Sequence, residues 1–358
     1  DSILVRQENA IEVKPRYLNT SIYYRNFTSK RSMIESKIRL STLKNERNES
    51  GIRNNTIQTE NSSYNEQLIY TSLGLSRKLN KYSALKFEGL FSFSEKPENL
   101  IISPVLDFND IVPGISNENQ QDVNSKKTKI GLNGTYFSKI SNKDKFKIGA
   151  SIDLTQNTLE SRLSDNENSG VFENNIKYGI YNPNVFVDYL LTLNKLKIRP
   201  AIVASLFTYE FQDLVNIDRL VDTEFLLNAS LFFDYEINRR NHLLLGFIRN
   251  NNFPKIEYLF PSSILSLNRT LRTNEINFST QPVSKFNISY NYDNLTKSVD
   301  FSLGFKYERN DLVYVPFNDV NPDFSQRTFS LQENVSESRI WNMSLVKYIS
   351  PIRSTIRI

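Results

Sequence analysis

The chain carries a single histidine, His242, in the stretch Arg239-Arg-Asn-His-Leu-Leu-Leu245, and no cysteine. A histidine can serve as general base to a serine or aspartate that folding brings beside it. No nucleophile motif accompanies this one, and its place next to a short turn reads as a polar residue at the rim of a sheet. Five carboxylates, Asp153, Asp234, Glu236, Asp300 and Glu308, are the next candidates, since paired carboxyl groups can divide acid and base roles. Each sits at an alternate position of a strand-like run, as do Lys147 and Lys306. That spacing makes all seven one polar face of a sheet, turned to water, to a plug or to one another inside a barrel. The Asp/Asn-rich stretches at 107–110 and 165–168 lack the ligand spacing of a calcium loop, and no Cys/His cluster offers a transition-metal site. The reading is of a protein that is not an enzyme and holds no metal or cofactor.

The elements that position these side chains are strands. Val299, Phe301, Leu303, Phe305 and Tyr307 alternate with Ser298, Asp300, Ser302, Gly304, Lys306 and Glu308, a period of two with one apolar and one polar face. Phe146 to Thr155, Phe225 to Ile237, Leu85 to Phe93 and Phe286 to Tyr292 repeat the pattern, each close to the roughly 9–11 residues a tilted strand needs to cross a bilayer. Aromatic pairs such as Tyr136 and Phe137, or Tyr290 and Tyr292, fall towards strand ends, where girdles meet the headgroups. Short connectors at Thr28 to Arg31, Asn80-Lys81, Ser141 to Asp144, Asn194-Lys195, Asn238 to Asn241, Asp293 to Lys297 and Ser350-Pro351 alternate with long polar segments. The long ones are Asn45 to Asn65, Glu95 to Asp122, Arg162 to Lys177, Gln212 to Asp222, Asn250 to Asn274 and Asn310 to Gln326. Tight turns on one side and long loops on the other are the asymmetry of an outer-membrane barrel. The predicted fold is all-β, an antiparallel transmembrane barrel of about 14 strands forming one domain over residues 1–358.

Composition narrows the class. Mean hydropathy is −0.44 and no apolar run approaches the roughly 18 residues of a spanning helix, which excludes a helical membrane protein. The net charge of +5 arises from 44 basic and 39 acidic residues mixed throughout, without the concentrated stripe that nucleic acid requires. Absence of Cys suits a chain that crosses an oxidising compartment. Asn133-Gly-Thr and Asn228-Ala-Ser fall inside predicted strands and read as chance triplets of an Asn-rich sequence.

Asn252-Phe-Pro-Lys-Ile-Glu-Tyr-Leu-Phe-Pro261, then Leu267-Asn-Arg-Thr-Leu-Arg272 and the alternating run Val283 to Tyr292, resemble TonB-dependent receptor-like barrels of Bacteroidetes-type bacteria. The resemblance implies a 22-stranded barrel of a Gram-negative outer membrane, of which these residues form a middle portion. It further implies a plug and a TonB-contacting box elsewhere in the protein, and import of a nutrient such as a chelate or an oligomer. Outer-membrane lipid and the TonB system are then the partners. Ligand contacts are expected in the long aromatic loop, at Phe253, Tyr258, Phe260, Arg269 and Arg272. The alternatives are an assembly or anchoring barrel that binds a surface lipoprotein, or a complete 14-stranded channel for hydrophobic solutes.

Overall fold

The computed structural model describes residues 7–53, 56–103, 119–141, 143–164, 172–216, 218–320, 324–352 and 354–357. Nine long strands open the chain: β1 (Gln7–Ser29), β2 (Ser32–Arg53), β3 (Thr56–Lys78), β4 (Ser83–Ser103), β5 (Asn119–Lys139), β6 (Lys145–Ser164), β7 (Phe172–Leu193), β8 (Leu196–Asp213) and β9 (Asp218–Asn238). Then follow β10 (Asn241–Asn252), β11 (Ile264–Ser266), β12 (Thr270–Asn274), β13 (Gln281–Asn294), β14 (Val299–Asn310), β15 (Val313–Val320), β16 (Ser325–Gln332), β17 (Ser336–Ile349) and β18 (Ser354–Arg357). Fourteen of them form one antiparallel sheet in the order β1 to β10, β13, β14, β17, β18. The remaining four, β11-β12-β16-β15, form a second sheet built from the connections β10–β13 and β14–β17. The 14-stranded antiparallel sheet is the one the alternation predicts.

Register shows why the sequence makes a wall with two unlike faces. Residues directly opposite one another in antiparallel strands share a face. Phe87 pairs with Leu75 and Gly134, Ile130 with Phe91 and Leu154, Leu132 with Gly89 and Ile152, and Ile148 with Tyr136 and Val187. Further along, Val187 meets Ile202, Leu206 meets Phe225, Leu231 meets Phe247, Phe247 meets Phe286, and Leu303 lies between Tyr290 and Met343. These apolar side chains therefore form one continuous band on a single face, and many of them are exposed, among them Leu132 at 61% and Phe225 at 69%. A one-residue slip in any strand would move its whole apolar set to the other face.

The strands are longer than the alternation alone predicts. On β8 the band ends at Leu206, about 11 residues and 25 Å from Leu196 after tilt, and the strand continues to Asp213. Strands β2 and β3 run through most of the segment Asn45 to Asn65, and β8 and β9 through most of Gln212 to Asp222, so neither is an extended loop. Polar sequence stays in the ladder there because cross-strand partners such as Asn45 and Tyr64 continue the register above the band. Connections 104–118 and 165–171, and with them the acidic stretches at 107–110 and 165–168, lie outside the described residues.

The short connectors use expected turn chemistry. Asn194 adopts a left-handed φ of 52°, which asparagine tolerates better than most residues. The Asn80 side chain accepts from the backbone N–H groups of Tyr82 and Ser83, and Ser141 Oγ from those of Lys143 and Asp144. The Asp144 carboxylate accepts from the Thr192 backbone N–H and from the Ser141 hydroxyl, and these two bonds hold it below the usual range. Among the described residues no pairing joins β1 to β17 or β18, so the large sheet has two edges.

Candidate functional site

The face opposite the apolar band is polar along most of its length. It carries a chain of ion pairs: Lys86 with Glu88, Lys96 with Glu98, Lys129 with Asp153, Lys147 and Arg199 with Asp188, Lys197 with Asp234, and Lys285 with Glu308. All seven residues read as one polar face, Lys147, Asp153, Asp234, Glu236, Asp300, Lys306 and Glu308, lie on it by register. Lys147 and Lys306 are not the cations that meet those carboxylates; the partners are Lys129, Lys197 and Lys285, each on an adjacent strand. His242 opens β10 on the same face, its Nδ1 3.8 Å from Asp234 Oδ1, while Lys197 takes the other oxygen at 3.0 Å.

Beyond the band the alternation inverts. On β8 the apolar residues switch from Ile202, Ala204 and Leu206 to Phe207, Tyr209 and Phe211, which point to the polar-faced side and are buried. Leu159, Ile176 and Tyr178 do the same on β6 and β7. What buries them is the connection β10–β13. Its Leu259 and Phe260 join that cluster, with Phe253, Ile256, Ile264, Ile276 and Phe278 packed against it. Phe253 stacks on Phe207 with ring centroids 3.4 Å apart and planes within 7°, and Phe278 stacks on Tyr209 at 5.2 Å. The loop folds inward and, with β15 and β16, forms a cap over this end of the inner face.

Buried polar side chains clasp the cap where apolar packing ends. Asn174 exchanges two bonds with the backbone of Ser262, both 2.9 Å, and Gln121 accepts from the Leu265 N–H at 3.0 Å. At the tip of the β11–β12 hairpin, Asn268 and Arg269 have φ of 59° and 52°. That turn is pinned by the Asn268 N–H donating to Glu60 Oε2 at 2.8 Å and by the Ser325 N–H donating to the Arg269 carbonyl at 3.0 Å. Burial raises the Glu60 carboxyl above its usual range, with Glu49 directly opposite adding to the rise and the Asn268 N–H and Arg269 opposing it. Within the cap, Tyr258 stacks on Tyr314 at 4.1 Å, Arg272 lies over the rings of Phe260 and Phe329, and burial pushes the Tyr314 hydroxyl up to about 12.

Two expectations follow from the clasp. Asn174→Ala leaves the Ser262 peptide without partners and should weaken cap docking by about 1–3 kcal/mol, read as faster hydrogen exchange at residues 253–278 with the wall unchanged. Because the docked state holds the Glu60 proton more tightly than a free carboxylate does, its contribution to docking is complete below the ordinary carboxylate range. It is lost as pH rises through the raised value. Once the intrinsic rise of amide exchange with pH is divided out, protection of the hairpin tip should therefore fall from acid to neutral pH, and Glu60→Gln should flatten that fall; an unchanged slope in the variant contradicts the assignment.

Between the cap and strands β2 to β7 lies a cavity of about 1200 Å³. Phe253, Tyr258, Phe260 and Arg272 line it; Arg269 does not, being buried in the hairpin tip. Facing them across the space are Lys96, Lys127 and Lys129, with Ser94, Thr155 and Asn157 beside them. Sequence reasoning found the loop residues but missed Glu60, Gln121 and Asn174. The inversion at Leu206-Phe207 was the available signal that something covers this end.

No family model matches the chain, and no curated protein matches it. Solved structures do. The copper transporter OprC superposes with a TM-score of 0.58 at 8% identity, covering 96% of this chain and 58% of its own. Pseudomonas aeruginosa FpvA, bound to heterologous pyoverdines, gives 0.56 at 8%, with 96% and 53% covered. The ferric-catecholate import receptor Fiu of Escherichia coli K12 gives 0.51 at 8%, with 97% and 62%. The fold is that of an outer-membrane β-barrel. At 8% identity the likeness is one of architecture, and in that architecture an apolar band faces lipid and a polar face lines the interior. The chain spans less than two thirds of each of these three structures.

Proposed function

We propose that this barrel wall belongs to an outer-membrane receptor that imports a nutrient, a chelate or an oligomer, in a TonB-dependent manner. The observation that carries the reading is the cap. A lipid-facing band in register across the sheet encloses a charged interior, and the wall's own loops fold in to cover one end of it. Phe253 and Phe278, packed on Phe207 and Tyr209, hold that cover against the wall, and an energised opening is how this reading accounts for it. The likeness in fold to import receptors and a transporter supports this, and the open β1 and β17–β18 edges fit a barrel of 22 strands completed by further strands, since unpaired backbone in hydrocarbon costs several kcal/mol per group. The Asn-rich texture fits a Bacteroidetes-type member, with plug and TonB box supplied outside these residues. Phe253, Tyr258, Phe260, Arg269 and Arg272 are in this reading the loop residues that bind or hold the ligand-binding surface.

Cells producing the full-length protein should accumulate at least one of a set of ferric chelates, haem, copper and oligosaccharides, and a protonophore should abolish that uptake. Uptake that survives collapse of the inner-membrane potential would sink TonB dependence. The lone tryptophan, Trp341, is 71% exposed on the lipid face beside Phe305; its fluorescence should be quenched by bromine-labelled acyl chains and little by aqueous acrylamide. A second reading, an anchor for a surface lipoprotein, draws on the strand extensions, where Lys44, Asn65, Asp122 and Arg162 border a hollow of about 510 Å³ on the outer side. Capture of a lipoprotein without any energised uptake would favour it.

A further inference from the structure

The cavity under the cap has two unlike walls. Its floor is the inner face of β4 and β5, where Lys127 stands opposite Ser94 on one side and Asn157 on the other, and Lys129 stands opposite Ser92 and Thr155. Seven cationic side chains line the space against three acidic ones. Several of the cations are already matched, Lys96 by Glu98, Lys126 by Glu95 and Lys129 by Asp153. Lys127 has no ion pair among the described residues and is exposed to the space. Its hydroxyl and amide neighbours add hydrogen-bond capacity without negative charge, so an anion placed there meets donors rather than repulsion. The roof is aromatic. Phe253 is held from behind by Phe207, and Tyr258 by Tyr314. Both rings are thereby fixed in position, which lowers the entropy cost of stacking a flat ligand against them.

We infer that this cavity binds an organic anion carrying a planar ring, its charge against Lys127 and its ring against the Phe253 and Tyr258 roof. This rests on the receptor reading for its purpose and deepens it by naming a substrate class, but binding itself requires only the folded, capped chain. A small inorganic anion satisfies the floor and leaves the roof empty; a neutral aromatic does the reverse. Only a ligand with both parts uses the two walls together, and the volume of about 1200 Å³ leaves room for one of drug size or larger.

The test is calorimetric titration of the full-length protein in detergent with 2-naphthalenesulfonate, with 2-naphthalenemethanol and sulfate as the single-part comparisons. The sulfonate should bind at one site at least tenfold more tightly than either comparison. Lys127→Gln should weaken it about tenfold, the loss of one favourable charge contact, and Lys127→Glu further, while Lys177→Gln, on the outer side of β7, should leave it unchanged. Unaltered heat-modified gel migration shows that the variants are folded. Equal binding of sulfonate and alcohol, or equal affinity in the Lys127 variants, overturns the inference. Energised uptake of a neutral or cationic nutrient with no sulfonate binding overturns it while leaving the import reading intact; sulfonate binding in a protein that imports nothing does the opposite.

Discussion

Phe207→Ala should release the cap from the barrel wall at a cost of about 3–5 kcal/mol, the range for truncating a fully buried aromatic. Phe207 is 1% exposed, stacks on Phe253 and tilts against Tyr209 at 6.1 Å, so its removal opens a hole that neither sheet can refill. The wall around position 207 is held by backbone pairs to β7 and β9 that do not depend on the ring. The expected result is therefore selective. Limited proteolysis should cut within residues 253–278 in the variant and spare them in the parent, while both keep the gel migration of a folded barrel. Phe207→Leu should lie between the two, because it keeps most of the apolar volume and loses the stack. If the alanine variant unfolds outright, the cap is part of the wall's own stability and the idea of a separable closure fails.

The second large effect belongs to the lipid face. Leu132 sits near the middle of the band, 61% exposed, between Gly89 and Ile152, and its side chain covers the bare backbone of Gly89. Leu132→Lys places a charge near the bilayer midplane and should cost about 2–4 kcal/mol. The adjacent Asn133→Lys puts the same charge on the interior face, opposite Glu88, and should change stability by no more than about 0.5 kcal/mol. Urea unfolding from lipid vesicles measures both. Equal penalties at the two positions would mean that the faces are not divided between lipid and interior as register divides them.

Those faces were legible from sequence because their cause is local. Alternation at Val299 to Glu308 is a property of consecutive residues, and the turns at Asn194 and Asn80 declare themselves through the side chains that turns require. The strand extensions were harder to see, since Asn45 and Tyr64 stay in the ladder only because a neighbour pairs with each. The cap was less legible still. Phe253, Tyr258 and Phe260 stand out as aromatic residues in a polar loop, yet whether such a loop faces solvent or folds back depends on Phe207, Tyr209 and Tyr178, which are distant in the chain. Glu60, Gln121 and Asn174 carried no mark at all. Their significance is a partner 88 to 208 residues away.

Parallel pairing within the cap has a consequence in time. Thr270 lies beside Ser325, and their hydroxyls meet at 2.9 Å across a separation of 55 residues that contains the whole β13–β14 hairpin. Most neighbours in the barrel wall can find one another as soon as a single tight turn closes. Strand β12 must wait until both wall strands and β15 have been made and laid down. The small sheet is therefore expected to close late in folding, after the β10–β13 connection has already packed on the wall, so its completion should register as a slow, separate step that tightens the cap.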